Sequence, residues 1–164
     1  MQKQPITFQP IGVITTPHKK QKGTPIQPYA ARDVAGEVHV FPEYRDGLKD
    51  LGGFERVWLI YHLHRASSAK LSVIPYRDVV ERGLFATRAP CRPNAIGLSA
   101  VRVLELDVKS GILKILDVDM LDQTPLLDIK PYVPRFDSYQ NSKAGWLDDL
   151  GEDRDIADDR FPIR

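Results

Sequence analysis

The densest run of chemically capable residues is Phe85-Ala86-Thr87-Arg88-Ala89-Pro90-Cys91-Arg92-Pro93-Asn94-Ala95-Ile96-Gly97-Leu98-Ser99. Pro90 and Pro93 stiffen the segment, so Arg88 and Arg92 lose little conformational entropy when they grip a carboxylate or phosphate, each through two parallel hydrogen bonds. An anionic ligand is the expected partner. The structural alternative pairs these arginines, with Arg77 and Arg82, to Asp78, Glu81 or the acidic end of the chain. A second concentration runs from Asp117 to Tyr132. On a strand Asp117 and Asp119 share a face and Asp122 opens the next turn, so carboxylates are expected to gather where the strand ends, to hydrogen-bond a ribose or offset a cation. Turn capping is the alternative for Asp122.

Other chemistries find less support. No G-x-G-x-x-G follows a strand and no G-x-x-x-x-G-K-[ST] occurs, so dinucleotide and P-loop phosphate cradles both lack their glycines. His62 and His64 would start a metal site if His18, His39 or Cys91 supplied a third ligand; hydrogen-bonded, partly buried histidines are the commoner arrangement, and no metal is expected. Cys91 beside Arg88 and Arg92 has the surroundings of an activated thiol, but no partner base is identifiable, which leaves a cysteine hydrolase as a rival reading.

The elements that must position these residues are mostly strands. At 164 residues and 18.6 kDa, with 42% hydrophobic and 27% charged residues, the chain is sized and composed as one globular domain. Runs rich in Val, Ile and aromatics cover 7–15, 37–41, 56–64, 71–74, 98–108, 112–120 and 126–130, while the one helix candidate is 42–51, where Tyr44, Leu48 and Leu51 recur behind Pro42. Lys109-Ser110-Gly111 predicts an antiparallel hairpin between the fifth and sixth runs. Val57, Leu59, Tyr61 and Leu63 share one face of their strand and Trp58, Ile60, His62 and His64 the other, so that strand is expected to be covered on both sides. Many strands and few, short helices predict a mainly-β fold: a single compact β-barrel or strongly curved antiparallel sheet with long loops. Two such loops, 16–32 and 77–97, combine prolines with basic residues in the manner of site-building segments.

The net charge is +1, so bulk basicity argues for no polyanion, but the distribution is uneven. Lys3, Lys19, Lys20, Lys22 and Arg32 precede the first acidic residue, Asp33. Asp148, Asp149, Glu152, Asp153, Asp155, Asp158 and Asp159 crowd the end. Residues 1–140 are expected to form the domain and 141–164 a solvated acidic tail. One cysteine excludes an internal disulfide and fits a reducing, cytoplasmic setting. Residues 1–10 lack the build of a signal peptide, and the longest apolar stretch, 57–63, is too short to cross a bilayer.

Across 11–134 the chain closely resembles the TrmO, or TsaA-like, family of S-adenosylmethionine-dependent tRNA methyltransferases. The resemblance rests on Ile11-Gly12-Val13-Ile14, Phe85-Ala86-Thr87-Arg88, Arg92-Pro93-Asn94-Ala95-Ile96-Gly97-Leu98-Ser99, Asp122-Gln123-Thr124-Pro125 and Asp128-Ile129-Lys130-Pro131-Tyr132. It implies a single β-barrel methyltransferase, a homodimer in most cases, that methylates N6 of the threonylcarbamoyl-modified adenosine beside the anticodon. It places the cofactor contacts at Pro25, Ile26, Gln27, His64, Arg65, Arg88, Leu98, Asp119, Met120, Leu121 and Asp122. Lys19, Lys20, Lys22 and Arg92 are the candidates for tRNA phosphates, and His64 and Asp122 those for the base that takes the acceptor proton. Relatives often carry Pro-Arg-Gln and Asp-Gly-Thr-Pro where this chain has Pro25-Ile26-Gln27 and Asp122-Gln123-Thr124-Pro125, which removes one charge and one flexible joint. A non-catalytic module that binds S-adenosylmethionine or a nucleotide is the alternative from another class.

Overall fold

The computed structural model describes residues 4–151, 155–161 and 163; Lys3, Glu152 and Asp153 lie outside them. Eight strands follow in chain order: β1 (Gly12–Thr15), β2 (Ala35–Val40), β3 (Arg56–His62), β4 (Ser72–Val73), β5 (Arg82–Gly83), β6 (Ile96–Asp107), β7 (Ile112–Leu116) and β8 (Thr124–Pro131). Six of them close an antiparallel barrel in the order β1-β2-β7-β6-β3-β8, and β4 and β5 pair as a separate ribbon inside the long loop. The mainly-β barrel is the architecture the strand pattern calls for, and closure leaves the barrel strands no open edge.

Strict alternation fills the interior. Ile14, Val38, Val57, Leu59, Val101, Leu113, Ile115 and Leu126 are fully buried, with Tyr61 closing the layer at one end. Burying a Leu or Ile side chain contributes roughly 1.5–3 kcal/mol, so this layer is the main stabilising element. The β6–β7 hairpin forms where expected, with Asp107 opposite Ile112 and Gly111 at φ 76°. Gly12 is held for a different reason: a Cβ there would meet the His39 carbonyl oxygen at 2.4 Å.

Four expectations need correction. The first strand pairs only over Gly12–Thr15, where β2 and β8 flank it, rather than from residue 7. The 42–51 segment is no α-helix but a 3-10 helix, Pro42–Leu48, and a second turn, Leu51–Gly53, split by Asp50 in the left-handed region. Leu48 closes the first turn and Leu51 opens the second, and both are buried, while Tyr44 stays exposed. Cover on the outer side of β3 is partial: Trp58 and Ile60 are half-buried, Trp58 edge-on to Tyr132 at 5.4 Å, and His62 is exposed. The strand expected over 112–120 stops at Leu116, because Asp117 takes φ 70° and breaks the alternation.

The acidic end is not free chain over its described part. Ile156 bridges to Pro25 and Ile163 to Ala66, Ile26 N donates to Asp155 O at 2.9 Å, and Ala157 exchanges backbone bonds with Gly23 and Thr24. Phe161 is buried in a second cluster with Val73, Leu84, Ala89 and Cys91, edge-on to Tyr76. The buried side chains of Ala157 and Phe161 and the backbone bridge at Ile156 hold the segment there; the intervening aspartates pair with Lys22 and Arg160.

Candidate functional site

A cavity of about 350 Å³ opens at one end of the barrel. Five segments wall it: the β1–β2 loop with Thr24, Pro25, Ile26 and Gln27; the residues after β3 with Leu63, His64 and Arg65; the long loop with Tyr76, Thr87, Arg88 and Arg92; the start of β6; and Asp119, Met120 and Leu121 beyond β7. Ala157 and Ile163, from the returning end of the chain, complete it.

Local bonding fixes these walls. Thr24 Oγ1 donates to Lys20 O at 2.6 Å, which curls the first loop and presents Pro25 to its bridge with Ile156. Gln27 Oε1 accepts from Arg88 Nη1, linking the first loop to the long loop. Arg92 Nη1 donates to the carbonyls of Thr87 (3.0 Å) and Ala89 (3.3 Å), so it braces its own loop. Of the four loop arginines, Arg82 is the one held by Asp78, at 2.8 Å. Burial of the His64 ring, reinforced by the charges of Arg65 and His62, lowers its basicity and leaves it neutral at pH 7.

The three carboxylates do not gather. Asp117 faces the outside of the barrel, where Arg102 grips it through Nε and Nη2 at 2.8 Å each, Arg56 lies at 3.2 Å and Asp33 N donates at 3.0 Å. The Arg102 bonds hold its carboxyl down at about 2. Asp119 points the other way, into the cavity, and accepts the Ser99 hydroxyl at 2.6 Å. Arg102 and Ser99 lie on opposite faces of β6, which records the reversal directly. Asp122 lies outside the cavity wall: Lys19 Nζ contacts it at 2.5 Å and Thr16 N at 3.0 Å, and Lys19 above all keeps it ionised. The neighbouring Gln123 stands at φ 61°, the left-handed geometry that the glycine of the resembled motif adopts freely.

Ten of the eleven candidate cofactor contacts, all but Asp122, therefore share one cavity, joined by Arg92. Lys19, Lys20 and Lys22 sit on exposed surface of the first loop, Lys22 paired with Asp159. Cys91 is buried among apolar side chains, and among the described residues no three His, Cys, Asp or Glu side chains cluster as metal ligands. The sequence reading missed Tyr61 and Ser99 as parts of the site. Tyr61 showed only as one of the apolar residues on its strand face, and Ser99 as the last residue of a motif.

Residues 13–138 match the family model of the tRNA-methyltransferase O N-terminal domain. The chain belongs to this family. It is 54% identical over 143 residues to a probable S-adenosyl-L-methionine-binding protein of Pyrococcus abyssi, covering 87% of this chain and 77% of that one. It is 35% identical to the tRNA (adenine(37)-N6)-methyltransferase of Escherichia coli and 34% identical to the human protein of that name. Those alignments cover 85% and 81% of this chain but only 63% and 31% of the two methyltransferases. The crystal structure of TrmO from Pseudomonas aeruginosa superposes with a TM-score of 0.75 at 33% identity, covering 90% of this chain and 63% of that one. The TrmO family barrel is thus present with its long loops, and among the described residues no helix is long and apolar enough to cross a membrane.

Proposed function

We propose that the protein is an S-adenosylmethionine-dependent tRNA methyltransferase acting on N6 of the threonylcarbamoyl-modified adenosine beside the anticodon. The observation that carries this reading is the convergence of ten candidate contacts on one cavity of a TrmO-family barrel, whose relatives are named as S-adenosylmethionine-binding proteins and tRNA methyltransferases. The donor set fits the ligand's chemistry. Arg88, with Arg65 and Arg92 near it, suits a carboxylate; Leu63, Leu98, Met120 and Leu121 offer apolar contact for a purine; Gln27 supplies an amide for an ammonium or ribose hydroxyl. When bound, S-adenosylmethionine supplies a methyl group carried on a sulfonium. The protein's own work is then alignment of the acceptor nitrogen and exclusion of water, for which a walled cavity at a barrel end is suited. A tRNA substrate agrees with a cytoplasmic protein, and a homodimer is the assembly we propose.

Calorimetry on chelator-treated protein is expected to show binding of S-adenosylmethionine and of its demethylated product, since the cavity wall needs no metal to hold them. Labelled methyl is expected to enter tRNA that carries the threonylcarbamoyl group and to enter unmodified transcript poorly. No heat at millimolar ligand would end the cofactor assignment. Equal labelling of both tRNAs would end the acceptor assignment. Binding without transfer to either would favour the non-catalytic module.

Lys20 is the cleanest probe of tRNA docking, because it is exposed and, unlike Lys19, not committed to Asp122. Lys20→Ala is expected to leave ligand affinity intact and to flatten the logarithmic salt dependence of tRNA binding by roughly 0.7–0.9 if one phosphate contact is lost. An unchanged slope, read by filter binding across a salt series, would move the docking surface away from this loop.

A further inference from the structure

Tyr61, Ser99 and Asp119 form a directed chain of hydrogen bonds into the cavity wall. Burial holds the Tyr61 phenol protonated far above neutral pH, and with the single Ser99 hydroxyl proton directed to Asp119 the phenol is the donor to Ser99 Oγ, at 3.0 Å. Ser99 Oγ, fully buried, in turn donates to Asp119 Oδ1 at 2.6 Å. The three residues come from β3, β6 and the segment after β7, so two strands orient the carboxylate in addition to the bond from its own backbone. Its own residue lines the cavity, and among the described residues no Lys, Arg or His forms an ion pair with it. The aspartates buried elsewhere among the described residues are each paired with a cation, Asp78 with Arg82, Asp117 with Arg102 and Asp122 with Lys19.

We propose that Asp119 is the proton acceptor of the methyl transfer, with Ser99 and Tyr61 as the residues that position it. The inference rests on the methyltransferase reading above. In the step, the N–H bond of the acceptor nitrogen breaks and its electron pair becomes available to nitrogen as the new N–C bond forms. The C–S pair stays on sulfur, which passes from sulfonium to thioether, and the proton lands on the Asp119 carboxylate. One positive and one negative charge vanish together, so no net charge is left in a poorly solvated site. The protonated carboxyl returns its proton to water once the product leaves.

Burial pushes the Asp119 carboxyl up to about 7, partly opposed by the Ser99 hydroxyl, which places it in the range where a general base works best. The other titratable and charged groups walling the same cavity are Tyr61 from β3, His64 and Arg65 beyond it, and Tyr76, Arg88 and Arg92 from the long loop. Neither candidate from the sequence has this combination: Asp122 is saturated by Lys19 and Thr16 outside the cavity, and the His64 ring bonds to the backbone of His62 beside it rather than to a chain of buried hydroxyls.

Asp119→Asn and Ser99→Ala test the assignment, with binding read by calorimetry separately from turnover. Asp119→Asn is expected to lower kcat at saturating S-adenosylmethionine by roughly 10²–10⁴-fold and to abolish the rise of kcat/KM with pH below about 7. Ser99→Ala removes a hydrogen bond to the charged form, so the same limb is expected to move to higher pH, and Tyr61→Phe to move it less. A readout free of turnover accompanies these. A carboxyl raised in the native state binds its proton there at pH values where the unfolded chain has lost it, so stability falls as pH rises from about 4 to about 7. Asp119→Asn should therefore melt above the wild type at pH 8 and level with it near pH 4. An Asp119→Asn protein that keeps its kcat but binds S-adenosylmethionine more weakly overturns the proposal and makes Asp119 a counter-charge to the ligand. A pH limb unmoved by Ser99→Ala overturns the positioning role. A wild-type protein that binds ligand but methylates no tRNA defeats the methyltransferase reading itself, while the melting difference would still report the buried carboxyl.

Discussion

Arg88→Ala is expected to weaken S-adenosylmethionine binding roughly ten- to hundredfold, the effect of losing a charge-assisted bond worth about 1.5–3 kcal/mol. Arg88 is exposed, and its bond to Gln27 ties two loops rather than filling the core. Its removal leaves no buried group without a partner, so the unfolding free energy should change by no more than about 0.5 kcal/mol. The two readouts, calorimetric Kd and melting temperature, are thus expected to separate cleanly. Arg88→Lys keeps the charge but loses the planar fork, and should fall between wild type and alanine if the ligand's carboxylate is gripped at two points. Unchanged affinity in Arg88→Ala would place that carboxylate against Arg65 or Arg92 instead.

Gly97→Ala is expected to be the most damaging single-methyl change in the barrel. A Cβ at this position would lie 2.1 Å from Tyr61 Cε2 and 2.4 Å from Cζ. The obstacle is a buried ring, with Gly97 directly opposite Tyr61 in the β3–β6 ladder, so a methyl there must displace the ring from its place between the two strands. Overpacking of this kind costs roughly 1–3 kcal/mol, with this overlap at the severe end, and a loss near 3 kcal/mol in a domain of this size lowers Tm by roughly 6–12 °C. Because the displaced ring carries the hydroxyl that bonds Ser99, the variant should also move the pH limb assigned to Asp119 in the direction expected of Tyr61→Phe. A variant that melts with the wild type would show that Tyr61 has a second position available, and the tight fit of Gly97 would then have no part in stability.

The sequence by itself determined the architecture and most of the cavity wall. Alternation in Val57-Trp58-Leu59-Ile60-Tyr61 and the Lys109-Ser110-Gly111 turn are local signals, and local physics is enough to make strands and a hairpin from them. The same holds for the two proline-stiffened loops: their composition marked them as ordered, and both line the cavity. Arg88 was readable as part of the wall because it stands on one of these stiffened loops.

What tertiary structure alone decided is where alternation fails and which distant groups meet. Asp117 and Asp119 belong on one face only while the strand continues. A left-handed residue, stabilised by Arg102 and by Asp33 N across 84 positions of sequence, turned one outward and the other inward. The acidic end read as solvated because charge dominates its composition, yet Phe161 finds an apolar cluster, and Ile156 and Ala157 find backbone partners, that exist only once the loops have folded. Ser99 and Tyr61 are unremarkable in the sequence, a hydroxyl and an aromatic on two strands 38 residues apart, and only the β3–β6 register places them in line with a buried carboxylate. Backbone periodicity is a property of neighbours along the chain. Burial of a charge is a property of everything packed around it, and so the chemistry of Asp119 could not be read until the barrel was closed.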